Sequence, residues 1–155
     1  MTDRATDLYR TITGIRRCFW LLATLSDEML ADLGLTASLR AILEHLDEFG
    51  PQTVPQIARE KSVQRQSIQA LVDRLLALGL VRTEDNPAHR RSVLVALTPQ
   101  GAATFRGIRR REAQRLTELQ GALDTKGLTV TADTLAALRA ALQTMIKGER
   151  HDNDD

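Results

Sequence analysis

The segment from Thr53 to Leu75 constrains the fold most, because it holds two amphipathic helical patterns with only a few residues between them. Thr53 and Gln56 have capping-box spacing, Pro55 falls in the first turn where its missing N–H costs nothing, and Ile57 and Ala58 turn inward. The next pattern begins near Val63 or Gln64, sets Ile68, Leu71, Val72 and Leu75 on one face, and ends at Gly79 as a left-handed cap. Helices joined this tightly form a helix-turn-helix. Leu80–Glu84, a polar tip Asp85–Arg91 and Ser92–Thr98 follow at once, rich in β-branched and alternating residues. A hairpin in that position is a wing.

Helices flank this unit. Leu8, Ile12, Ile15, Phe19 and Leu22 form the stripe of a first helix from about Thr6 to Ala31, interrupted by Gly34. Thr36 caps a second, with Leu39, Leu43, Leu46 and Phe49 on its buried face and Gly50-Pro51 as its stop. Thr98-Pro99 restarts a fifth helix carrying Phe105, Ile108, Leu116, Leu119 and Leu123. A loop at Asp124–Val130 precedes a sixth, capped by Thr131, with Leu135, Leu138, Leu142 and Met145 or Ile146. The first and last stripes lie far from the helix-turn-helix and need a partner, which a second copy supplies around a two-fold axis. A monomeric six-helix bundle is the competing account. The expected fold is mainly α with a small β-wing in a single domain, 1–155: a winged helix-turn-helix over 36–98, dimerisation helices over 6–33 and 99–147, and a frayed tail at 148–155.

Charge distribution says what the wing faces. The chain has 21 Lys plus Arg against 20 Asp plus Glu, a net +1. Residues 52–111 nevertheless hold 11 basic and 4 acidic residues, giving +7, while each flank has 5 against 8, giving −3. Such a block fits a polyanion. Of the five aromatics (Tyr9, Phe19, Trp20, Phe49, Phe105), only Phe105 lies within it, so no base-stacking platform of the single-strand or RNA kind can form there. Double-stranded DNA read by a helix is favoured. With 43% apolar residues in 155, the chain can bury a core without disulfides, and it has one cysteine. Neither Cys18–Ala23 nor Val93–Leu97 approaches a membrane span, and Met1-Thr-Asp-Arg is no signal peptide, so a cytoplasmic protein with no membrane partner is expected.

The run Ser67–Arg82 (SIQALVDRLLALGLVR), followed by Asp85–Gly101 (DNPAHRRSVLVALTPQG), resembles the MarR (multiple antibiotic resistance regulator) family of winged-helix repressors. The recognition helix, the "DPxDRR"-like wing tip and the "LTxxG" restart match in order and spacing, and the resemblance extends over about Leu8 to Ile146. Three positions depart from it. Ser62 stands where the family usually has a turn glycine, Gln64 where it often has Ser, Thr or Asp as cap, and His89 where an acid commonly braces a wing arginine. The last substitution is expected to loosen the wing, or to add positive charge below about pH 6.5.

The exposed side of the fourth helix offers Gln64, Arg65, Gln66, Ser67 and Gln69, with Arg74 further on. Glutamine pairs with adenine and arginine with guanine in the major groove. Arg74 could instead reach a phosphate or brace Asp73 and the wing. Arg90 and Arg91, with His89 beside them, would enter a narrow minor groove at the wing. Arg59, Lys61 and Arg82 are phosphate-contact candidates.

The family resemblance implies a repressor released by a small aromatic or anionic effector held between the dimerisation helices and the winged part, with Phe19 and Trp20 as candidate pocket residues. Cys18, near Arg16 and Arg17, is a candidate peroxide sensor, although an inert packed thiol is favoured. His45, His89 and His151 are scattered and no catalytic or metal motif appears, so neither enzymatic activity nor a cofactor is expected. Glu44-His45-Leu46-Asp47-Glu48 is read as a solvated helix face rather than a metal site. The alternative from another class is a winged-helix adaptor that binds protein and reads no operator.

Overall fold

The computed structural model describes residues 3–89, 91–121, 123 and 125–151. Helix α1 runs over Asp3–Leu30 and tightens into a 3-10 turn at Ala31–Leu33, stopped by Gly34 in the left-handed region at φ 65°. Helix α2 (Ala37–Phe49) starts where the Thr36 hydroxyl accepts from the Leu39 amide, and ends at Gly50. Helix α3 (Val54–Lys61) opens with the complete capping box of Thr53 and Gln56. After three residues comes α4 (Arg65–Ala77). Strands β1 (Val81–Asp85) and β2 (Val93–Leu97) pair antiparallel, Val81 opposite Leu97 and Asp85 opposite Val93. Helices α5 (Pro99–Gln120) and α6 (Leu128–His151) complete the order, with a 3-10 turn at Thr125–Gly127 between them.

The core lies inside the winged part. Leu39, Ile42, Leu43 and Leu46 of α2 meet Ile57 of α3, Ile68, Val72 and Leu75 of α4, Val95 of β2, and Phe105 and Ile108 of α5, all buried. Burying such side chains contributes roughly 1.5–3 kcal/mol each before chain entropy is counted. Leu30 and Leu35 anchor the end of α1 to this core. The backbone of Gln52 exchanges hydrogen bonds with Val95 at 3.1 and 2.8 Å, so the α2–α3 loop acts as a one-residue third strand that pins the wing.

Several sequence expectations need correction. Phe49 is not on the buried face of α2: it is 55% exposed and lies across the His45 ring at 4.8 Å. His45, placed on a solvated face, is buried, and its Nε2 lies 2.9 Å from the Gln52 side-chain oxygen. Helix α6 begins at Leu128, so Thr131 does not cap it; the Thr131 hydroxyl donates back to the Gly127 carbonyl within the first turn. The same helix runs through 148–151, the first half of the expected frayed tail, whereas residues 152–155 lie outside the described residues.

Candidate nucleic-acid interface

The start of α4 is built to be seen. Ile68, Val72 and Leu75 hold one side of the helix in the core, which leaves Gln64, Arg65, Gln66, Ser67 and Gln69 exposed on the other. Gln64 occupies the cap position in extended backbone and makes no side-chain cap bond, so the Arg65 and Gln66 amides stay open to a phosphate oxygen. Gln69 is less free than its neighbours, because its amide donates to Asp73 at 2.7 Å. That bond answers the question about Arg74: Asp73 is held by Gln69, and Arg74 is exposed without a carboxylate partner among the described residues.

Ser62, flagged as a departure at the turn, has φ 55° and is the only non-glycine residue in left-handed backbone among those described. Its amide donates back to Arg59 and thereby closes α3 before the turn. A glycine would hold this conformation without the Cβ penalty.

The wing tip is braced differently from the acid–arginine pattern. The Asn86 side chain donates to the Ser92 hydroxyl at 2.9 Å and accepts from the Ala88 amide at 3.0 Å, and Ser92 returns to the His89 carbonyl. The loosening expected from His89 is therefore opposed by the Asn86 and Ser92 bonds. His89 and Arg91 are exposed at this tip, and Arg90 lies outside the described residues.

At the wing base, Thr98 joins three elements. Its hydroxyl donates to the Gly79 carbonyl at 2.7 Å, accepts from the Gly101 amide at 2.9 Å to cap α5, and its amide donates to Leu80. Gly101 packs so closely that an added Cβ would lie 1.9 Å from the Leu80 carbonyl oxygen. This accounts physically for the restart motif.

The phosphate-contact candidates separate. Arg59 is exposed and free of carboxylate partners among the described residues. Arg82 is engaged at the wing base, donating to the Leu97 carbonyl and to Glu84. Lys61 does not lie on the α4 face at all. It is half-buried in a cavity of about 740 Å3 between α2, α3 and α6, where loss of water pulls its ammonium below the usual lysine value, with Glu44 opposing that shift.

The family model of the MarR family matches residues 33–92. The multiple antibiotic resistance protein MarR of Salmonella typhimurium is 30% identical over 144 residues, covering 90% of this chain and 96% of that one. The chain belongs to the MarR family of winged-helix regulators. An uncharacterized protein of Mycobacterium tuberculosis is 36% identical over 91 residues, which span 59% of this chain and 64% of that relative. Among solved structures, a MarR family transcription regulator superposes with a TM-score of 0.78 at 27% identity, over 95% of this chain and 97% of that one.

Of the remaining candidates in this MarR-family chain, Phe19 and Trp20 meet edge to face at 5.6 Å but are 61% and 71% exposed. They line neither the cavity holding Lys61, to which α1 contributes Ile15, nor a second that α1 borders. The other, of about 250 Å3 between α1, α2 and α5, receives Leu22, Leu25, Ser26 and Met29, the turns after the aromatics. Cys18, expected to be packed, is exposed. Two ionic ties that no local pattern announces hold α5, one to α2 of the winged part and one to the turn that ends α1. Arg40 of α2 bonds Glu112 of α5 and Glu44, which holds its guanidinium above the ordinary arginine value, and Arg111 of α5 bonds Asp32 at 2.7 and 2.8 Å.

Proposed function

We propose that this chain is a homodimeric, sequence-specific reader of double-stranded DNA in the cytoplasm, acting without catalysis as a transcriptional repressor at a pseudo-palindromic operator and released by a small effector. The observation that carries the reading is the uncapped, exposed start of α4, where Gln64, Arg65, Gln66 and Ser67 stand together opposite a fully buried face. Arg and Gln in that position suit guanine and adenine edges, and Arg91 at the wing suits a narrow minor groove. The +7 charge of residues 52–111 supports the same surface. Arg59 and Arg74 remain available for phosphates. The effector would enter the α1–α2–α5 cavity, where the winged part meets the long helices.

The test is to sequence the DNA that the full chain retains from a random duplex library at two salt concentrations. A two-fold related pair of half-sites, weakened by salt, is the expected outcome. Retention without sequence preference would instead favour the protein-binding adaptor.

A second mode of release is favoured by the exposure of Cys18. It requires the folded protein to react with iodoacetamide and to lose operator binding in peroxide. A Cys18 thiol inert to both reagents removes that mode and leaves the effector.

A further inference from the structure

We infer that Gln69 and Asp73 act on α4 as one specificity unit, in which Asp73 holds the Gln69 amide so that its oxygen, an acceptor, meets the DNA. At one position of each half-site the protein then takes an amino base, adenine or cytosine, and rejects a keto base, guanine or thymine. The inference rests on the reading of duplex DNA by α4 and gives Asp73 a positioning role within it.

Helix geometry puts the pair on the reading face. At 3.6 residues per turn, Gln66, Gln69 and Asp73 fall within about 60° of one another, turned away from the buried Ile68, Val72 and Leu75. All three are exposed, and so is Ala70, which stands among them with only a methyl group. The centre of that face is therefore low enough for base edges to approach a glutamine that is drawn back against its own helix.

Chemistry fixes which atom is offered. Gln69 Nε2 donates to Asp73 Oδ1 at 2.7 Å across one turn, at the i, i+4 spacing where such pairs meet. A carboxylate only accepts, so the amide cannot be reversed without setting two oxygens against each other. The Gln69 side-chain oxygen is left without a partner among the described residues. In the major groove adenine N6 and cytosine N4 donate, whereas guanine O6 and thymine O4 accept. An unrestrained glutamine turns its amide to suit either kind of base; one held by Asp73 does not. The Asp73 carboxylate repels the same keto oxygens and sharpens the choice. Water competes for an exposed bond of this kind, and closure of the groove over it removes that competition.

The test takes duplexes retained from a random library by the full-length protein and by Gln69→Ala, then titrates the four duplexes that differ at the position Gln69→Ala levels. Wild type should bind A or C there, read on a fixed strand, at least about fivefold more tightly than G or T, the lower end of what a mismatched base costs. Asp73→Ala should bring that ratio within about twofold, chiefly through tighter binding of G and T, whereas a damaged helix would weaken all four. Asp73→Asn keeps an oxygen that accepts from the amide and should keep the preference. Three results overturn the inference and leave operator reading intact: a selective profile in which Gln69→Ala levels no position, G or T bound as tightly as A or C by wild type, or an Asp73→Ala ratio that is unchanged. Loss of the preference in Asp73→Asn overturns it too, because charge alone would then be responsible. A wild-type profile flat at every position defeats operator reading and this inference with it.

Discussion

Ser62 shows how a single residue can be legible in sequence and still need coordinates to weigh. The sequence marks it as sitting where the turn prefers glycine, and φ 55° gives the reason. Left-handed backbone costs an L residue roughly 1–2 kcal/mol, and the greater freedom of glycine in the unfolded chain returns about 0.4–1 kcal/mol of that. Ser62→Gly should therefore stabilise the protein by about 0.5–1 kcal/mol in thermal or urea melts, and an unchanged or lowered melting point would show the strain to be relieved elsewhere. The cavity that Lys61 lines is invisible to a local reading, because it is completed by α6 residues more than seventy positions away. The folded value of Lys61 is lowered, so the unfolded chain binds more protons between that value and 10.5, and stability should rise with pH across this window. Lys61→Met should flatten that rise and raise the melting temperature at neutral pH. At the reading surface, Gln66→Ala should change sequence preference in retained DNA, whereas Arg91→Ala should weaken all sites by about 1–3 kcal/mol. Unaltered affinity in Arg91→Ala at physiological salt would remove the wing from the interface.

Elements were most legible where their signals are local. The Thr53–Gln56 box, Gly34, Gly79 and Thr98-Pro99 all set their boundaries within a few residues, and the structure keeps them. Thr131 misled because a hydroxyl near a helix start can cap it or bond back one turn, and only backbone geometry distinguishes the two. His45 was misread because adjacent charged residues mask a position that periodicity alone would bury, while its partner Gln52 belongs to the next loop. The glycine of the "LTxxG" restart was visible as a letter, but its reason is the closeness of α5 to the Leu80 carbonyl. Gly101→Ala must push two backbones apart, and we expect a loss of at least about 2 kcal/mol with disordering of the wing base. Hydrogen exchange should show the loss at Leu80 and Thr98 first; a variant as stable as wild type would mean that α5 can slide. The Arg111–Asp32 tie adds a pH signature where α5 meets the end of α1. Hydrogen bonding from Arg111 lowers the Asp32 value below 3.8, so its contribution is full above that pH and fades as pH falls through the folded value.

At the scale of the whole molecule, the question is what covers the long helices. Leu22 of α1, Leu119 of α5 and Leu135 and Leu142 of α6 remain exposed in the protomer, and so does Phe19. Apolar surface of that extent on three helices marks an interaction face, and the −3 flanks that bear it are distinct from the +7 segment with the reading helix. A two-fold pairing of these faces would direct two copies of α4 at half-sites about one helical turn, ~34 Å, apart. Binding both half-sites through one dimer then gains roughly 10²–10⁴ over a single half-site. A charge placed on the interface, as in Leu142→Glu combined with Phe19→Glu, should convert the protein to monomers in sedimentation at micromolar concentration. Palindrome affinity should fall by about that factor, while affinity for an isolated half-site stays unchanged because α4 and the wing are untouched. The half-site control separates loss of pairing from damage to the reader. A wild-type protein that sediments as a monomer and binds one half-site as tightly as two would establish the six-helix monomer instead.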